Sequence, residues 1–247
     1  MLFNSIDFAV FLPIVFLLFW LLEKRSYRLG NLWILLASAI FYGWWDWRYL
    51  GLVLASGMID YWASIWIHNS DSKIHRKRLL WLSLICNLGI LSFFKYYNFF
   101  ISFFASSFSF FGLPFHASTL NIILPVGISF YTFQSMSYTI DVYRKDIEPS
   151  RNPLEFGAYL LFFPQLVAGP IERATSLIPQ FRSPRVFTPL SASDGLRQML
   201  WGLFKKVAVA DQCAPIVDSI FHDHWTADTS TLILGAILFT IQIYCDF

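Results

Sequence analysis

The sequence predicts an all-α, polytopic transmembrane protein, and three observations predict it. Hydrophobic residues fill 56% of the 247 positions and charged residues only 14%, against roughly 45–50% and about 25% in soluble domains. Mean hydropathy is +0.54. Apolar runs close to the length of a membrane helix, about 20 residues, recur along the chain between short polar loops. A soluble core of this size would need a charged shell that the composition does not supply. The net charge of +2 gives no basic field for phosphate backbones, which excludes a nucleic-acid partner.

The spans follow in order. Residues 6–22 form the first; they lack a basic n-region and a small-residue cleavage site, and Glu23-Lys24-Arg25 follows at once, so this is a retained helix and not a signal peptide. Residues 31–45 end on Trp44-Trp45, which suits the interfacial aromatic belt. Residues 49–67 are the third span. Residues 79–111 read as one long tilted helix, or a helix with an interfacial extension, interrupted by Lys95. Residues 124–140 carry Pro125 in the first turn, where a missing N–H costs little. Residues 231–247 are the last.

Two segments break the pattern. Residues 154–170 are apolar but contain Pro164, Gly169 and Pro170. A broken helix at membrane depth persists only when buried in protein or lining a polar cavity, so a re-entrant or kinked element is expected. Residues 171–194 read as a polar connection. Residues 195–210 are helical with Lys205-Lys206 in an apolar frame, either lying along the interface or spanning.

Basic residues orient the chain. Loops 23–30, 68–78 and 141–153 hold ten Lys and Arg, while 43–48 and 112–123 hold only Arg48. Positive loops stay cytoplasmic, so the N-terminus is expected outside.

Polar groups within spans face the bundle interior. Asp60 is expected either to pair with a neighbouring helix or to serve a proton relay. Tyr131, Gln134, Ser135, Ser137, Tyr138 and Thr139 either tie helices together or line a polar tunnel. His222 and His224 form an H-x-H near Asp218 and Asp223, but no i, i+4 pair or third spaced ligand accompanies them, and no metal is expected. Cys86, Cys213 and Cys245 show no CxxC and read as small buried hydrophobes. Nucleophile elbows, Walker loops and HExxH are absent from the sequence. From the residues alone, a transporter or channel subunit fits as well as an enzyme.

Several ordered motifs resemble one family. They are Pro125-Val126-Gly127-Ile128-Ser129-Phe130-Tyr131-Thr132-Phe133-Gln134, then Tyr138-Thr139-Ile140-Asp141-Val142-Tyr143-Arg144. Phe162–Arg173, with Pro164-Gln165 and Gly169-Pro170-Ile171-Glu172-Arg173, comes next, then Gly202-Leu203-Phe204-Lys205-Lys206-Val207 and Tyr244-Cys245-Asp246-Phe247. The opening Met1-Leu2-Phe3-Asn4-Ser5 and Lys95-Tyr96-Tyr97-Asn98-Phe99 agree with it. Over essentially the whole chain the sequence resembles the bacterial membrane-bound O-acyltransferase (MBOAT) family, in its alginate O-acetylation branch.

That resemblance implies a ring of tilted helices around a tunnel through the bacterial inner membrane. It implies no bound cofactor, and acetyl-CoA or another acyl thioester as cytoplasmic donor. The acceptor would be an exported or envelope polysaccharide such as alginate, or a periplasmic relay protein. Tyr131, Gln134, Gln165, Arg173, Lys205, Lys206, Tyr244 and Asp246 are the candidate substrate and tunnel residues. Gln165 and Arg173 flank Gly169-Pro170, where an Arg at the cytoplasmic mouth could pair with donor phosphates. The family's catalytic His lies beyond the Tyr-x-Asp-Phe motif, so it is expected C-terminal to Phe247. Residues 1–247 are thus expected to be the N-terminal part of a single transmembrane domain, inactive without its C-terminal half.

Overall fold

The computed structural model describes residues 3–110, 120, 124–166, 169 and 172–246. Among the described residues every regular element is helical. Four helices are long and apolar enough to cross a membrane: Ile6–Glu23, Tyr27–Asn69, the run Lys73–Phe108 and Thr229–Asp246. The described chain forms two compact units, residues 15–185 in one and 3–14 with 186–246 in the other.

In the first unit, the part of α1 (Ile6–Glu23) from residue 15 onward leads into α2 (Tyr27–Asn69). The sequence reading placed a loop at 43–48, and the helical run Tyr27–Asn69 is two helices that meet there at a kink. Only Asp46 leaves the helical conformation (φ −159, ψ 110). It can turn the chain alone because its carboxylate caps the Arg48 N–H at 3.0 Å and grips the guanidinium at 2.9–3.2 Å. α3 (Lys73–Leu91) begins earlier than the expected span, because Ser72 Oγ accepts from the His75 N–H and starts the helix inside the basic loop. It continues through a π-turn, Ser92–Tyr96, into α4 (Tyr97–Phe110). The expected Phe111 end lies outside the described residues.

α5 (Ile128–Arg144) starts after Gly127 and stops at Lys145, both left-handed at φ +74 and +69. Pro125 therefore precedes the helix and does not sit in its first turn. Residues 154–166 form two short helices, α6 (Pro153–Leu160) and α7 (Phe163–Leu166), broken at Leu161-Phe162; residues 167, 168, 170 and 171 lie outside the described set. Within the expected polar connection, α8 (Ala174–Arg182) buries Ala174, Leu177, Ile178 and Phe181. Its apolar residues at i, i+3, i+4 and i+7 make an amphipathic stripe that the polar composition of 171–194 conceals.

α2, α3 and α5 pack together, with α6 and α8 against both α2 and α5 and α7 against α2. Gly57 lets α6 approach α2: a Cβ there would lie 2.2 Å from the Leu160 side chain. The three basic loops meet at one end of this unit. Arg185 grips Glu23 (3.0 and 3.2 Å) and Asn31, and Asn31 donates to the Phe181 carbonyl. Arg182 donates to the Glu148 carbonyl, Arg76 to that of Tyr143, and the Tyr61 hydroxyl to that of Arg151.

The second unit continues α9 (Pro189–Lys205) through a π-turn, Lys206–Ala210, into α10 (Asp211–His222), with α11 (Thr229–Asp246) against them. The three cysteines are free and half-buried, and so less enclosed than their apolar settings suggested.

Candidate functional site

The most buried polar cluster centres on Asp60. One carboxyl oxygen accepts from the Ser83 hydroxyl, from Asn87 Nδ2 at 3.0 Å and from the Thr139 hydroxyl at 3.1 Å. The other accepts from Asn87 Nδ2 at 2.9 Å, and Ser56 donates to Asn87 Oδ1 at 2.5 Å. Asp60, Ser83, Asn87 and Thr139 are each 0% exposed. Every contact to Asp60 comes from a donor on α3 or α5, so the cluster fastens three helices. Of the two expectations for Asp60, pairing with neighbouring helices is what the geometry shows.

A second polar strip runs along α5 where α6 and α7 meet it. Tyr159 lies in the last turn of α6, where a helix leaves its carbonyls without intrahelical partners. Its carbonyl is met by Gln134 Nε2 at 2.9 Å and Gln165 Nε2 at 3.2 Å, and the Tyr159 hydroxyl donates back to the Gln134 carbonyl at 3.3 Å. Gly127, at φ +74, admits the Leu166 carbonyl to within 2.4 Å of where a Cβ would sit. Tyr131 lies one turn beyond Gly127 on this face, and its hydroxyl is buried with no hydrogen-bond partner. Gln165 Oε1 is likewise unmet. Sequence reasoning named Tyr131, Gln134 and Gln165 but missed Tyr159, because its part is played by a backbone carbonyl that only the end of α6 exposes.

Arg173 is the exposed N-cap position of α8 and stands apart from that strip. Its charge acts on Asp141, just past the expected span 124–140. Burial, then the like charge of Asp146, push the Asp141 carboxyl above its usual range, with Arg173 and Arg144 opposing.

In the second unit the π-turn brings the remaining four candidates together. The Asp211 N–H bonds to the Lys206 carbonyl five residues back, and Lys206 Nζ meets Asp246 at 2.5 Å and Asp211 at 2.9 Å. Lys205 Nζ lies 5.5 Å from the Tyr244 ring centre. Asp211 was missed, although a π-turn beside Lys206 is what makes the i, i+5 pair reachable. The eight candidates thus fall into the α5–α7 strip, the solitary Arg173 and this ion cluster.

His68, His75, His222 and His224 are all exposed, and His116 lies outside the described residues. No group of three potential metal ligands occurs among the described residues.

The fold and its buried polar strips define an integral membrane protein built of packed helices. The chain is 39% identical, over 99% of its length and 48% of the other's, to a protein of Azotobacter vinelandii named "Probable alginate O-acetylase AlgI". A protein of the same name from Pseudomonas aeruginosa is 37% identical over 99% of this chain and 46% of its own. The peptidoglycan O-acetyltransferase of Helicobacter pylori is 31% identical over 100% of this chain and 51% of its own. The chain is thus homologous to alginate O-acetylases of the membrane-bound O-acyltransferase family. It spans about half the length of the curated relatives it matches. No family model matches it, and no solved structure does.

Proposed function

We propose that this chain is part of a membrane O-acetyltransferase of the bacterial inner membrane. It moves an acetyl group from a cytoplasmic thioester, acetyl-CoA, to a hydroxyl of an envelope polysaccharide such as alginate, directly or through a periplasmic relay protein. The observation that carries this reading is similarity over 99% of the chain to proteins named as alginate O-acetylases. The peptidoglycan O-acetyltransferase supports the chemistry while widening the acceptor to other glycans.

In the reaction the acceptor oxygen forms a C–O bond to the acyl carbon and the C–S bond breaks. The hydroxyl proton ends on the departing sulfur, so the products are an ester and a free thiol. General-base assistance to such an attack is typically worth 10²–10⁴-fold, and no described histidine borders the α5–α7 strip to supply it. The strip formed by Tyr131, Gln134 and Gln165 offers hydrogen bonds to the reacting groups within an apolar frame. The end where the basic loops 23–30, 68–78 and 141–153 meet faces the cytoplasm, with the N-terminus outside. Arg173 meets the donor phosphates, and in the second unit Lys205, Lys206, Tyr244 and Asp246 are candidates for substrate contact.

The test is transfer of radiolabelled acetyl from acetyl-CoA to alginate oligomers, in membranes from cells carrying or lacking the gene. Ester-linked label that depends on the gene is expected. Equal label in both membranes refutes the reading.

A further inference from the structure

The two sides of α3 differ in chemistry. On one side Ser83 and Asn87 are buried and bond to Asp60 of α2, and Arg76 donates to the Tyr143 carbonyl of α5. On the other side Ile74, Lys77, Arg78, Trp81, Leu82 and Ile85 recur at i, i+3, i+4, i+7, i+8 and i+11, which places them on one face. All six are exposed. They line a shallow depression of about 400 Å³ to which, among the described residues, no other element contributes.

The charge of this face is unbalanced. Arg76, Arg182 and Arg185 are spent on carbonyls and carboxylates of the protein. Lys77 and Arg78 have neither an ion pair nor a hydrogen bond among the described residues. They stand in the second turn of α3, at the start of the run Lys73–Phe108 that is long and apolar enough to cross a membrane. Beyond them the face is apolar: from Lys77 to Ile85 is about 12 Å of helix, filled by Trp81, Leu82 and Ile85. Helical side chains lean toward the N-terminus, so the Trp81 ring covers the turn that carries the two cations.

An occupant must therefore join an anion to an apolar tail. A phosphate in solution supplies the charge and leaves the apolar stretch bare. A zwitterionic lipid sets its own cation against Lys77 and Arg78. An apolar protein helix covers Trp81, Leu82 and Ile85 and leaves both cations unpaired. A phospholipid with a net negative headgroup satisfies both halves.

We infer that this face of α3 is a binding site for an anionic phospholipid. The phosphate rests between Lys77 and Arg78, and an acyl chain lies along Trp81, Leu82 and Ile85. The site is on the opposite side of α3 from the Asp60 cluster and does not depend on the acyl-transfer reading.

The test uses purified full-length protein in phosphatidylcholine vesicles that contain rising fractions of phosphatidylglycerol brominated on its acyl chains, which quenches tryptophan on contact. The Trp81 signal is the difference between wild type and Trp81→Phe, a substitution at an exposed position. It should be half-quenched at a mole fraction about tenfold lower for brominated phosphatidylglycerol than for brominated phosphatidylcholine. Lys77→Gln and Arg78→Gln should each raise the phosphatidylglycerol midpoint about fivefold, the worth of one basic side chain at an anionic surface. The double variant should bring it to the phosphatidylcholine value.

Equal midpoints for the two brominated lipids on wild type overturn the site and leave only bulk lipid at this face. A Trp81 signal that neither lipid quenches also overturns it, and means that protein covers the face, either the remainder of the full-length chain or a second copy. A midpoint unchanged in the double variant overturns it as well; a raised KM for acetyl-CoA in that variant would then assign the two cations to phosphates in solution.

Discussion

Replacing Asp60 separates a structural tie from a proton relay, and the cost can be worked from its contacts. In Asp60→Ala the Ser83 hydroxyl, the Thr139 hydroxyl and Asn87 Nδ2 lose their shared acceptor in a fully buried site. Two of them keep a fallback: Thr139 lies 3.3 Å from the Ser135 carbonyl and Asn87 lies 3.0 Å from the Ser83 carbonyl. A net hydrogen bond is worth about 1 kcal/mol and an unmet buried group costs about 1–3 kcal/mol. With the small cavity included, the loss comes to about 4 kcal/mol. For a chain of this size that is a fall of about 10 °C in unfolding temperature. Asp60→Asn keeps one oxygen for Ser83 and Thr139 and turns its amide toward Asn87 Nδ2, one donor against another, costing about 1–2 kcal/mol. Heating the detergent-solubilised protein and measuring the monodisperse fraction gives the order wild type, Asn, Ala. An Asp60→Asn variant as stable as wild type but without acetyl transfer would refute the structural assignment and restore the relay.

Glu23→Ala strips the partner from Arg185, whose side chain is one-fifth exposed. Discounted for that exposure, the loss should be about 2–3 kcal/mol, read by the same heating assay, with Glu23→Gln losing about half as much. Gly127→Ala combines a left-handed backbone with a Cβ 2.4 Å from the Leu166 carbonyl and should cost about 2–4 kcal/mol, seen as a lower melting temperature. Single cysteines should label from outside the cell at His116 and not at Lys73; the reverse pattern would invert the orientation. Arg173→Ala in the full-length enzyme should raise KM for acetyl-CoA about tenfold at unchanged expression, and loss of protein with unaltered KM would make Arg173 a structural residue.

The sequence by itself determined the class of protein. An apolar content of 56% with 14% charge leaves no shell for a soluble core, and that arithmetic needs no coordinates. The ordered motifs carried the family, because runs such as Phe162–Arg173 are long and specific. Candidate residues were legible where a polar side chain interrupts an apolar run, as at Asp60, Gln134 and Lys206. Helix ends were less legible. A single capping side chain decides them: Asp46 collapses a predicted loop to one residue, and Ser72 starts α3 within a basic segment.

Only the tertiary structure decided which polar groups meet. Asp60 draws its donors from residues 23, 27 and 79 positions away in the chain, and no periodicity encodes partners at such separations. Tyr159 enters the candidate site through its backbone carbonyl, which every residue has, so its identity gave no signal. The stretch 171–194 reads as polar on average, yet α8 buries one stripe of it against the core, because burial follows direction around a helix axis and composition averages direction away. The unmet oxygens of Tyr131 and Gln165 were likewise beyond the sequence, since a group is orphaned only by the surroundings that enclose it.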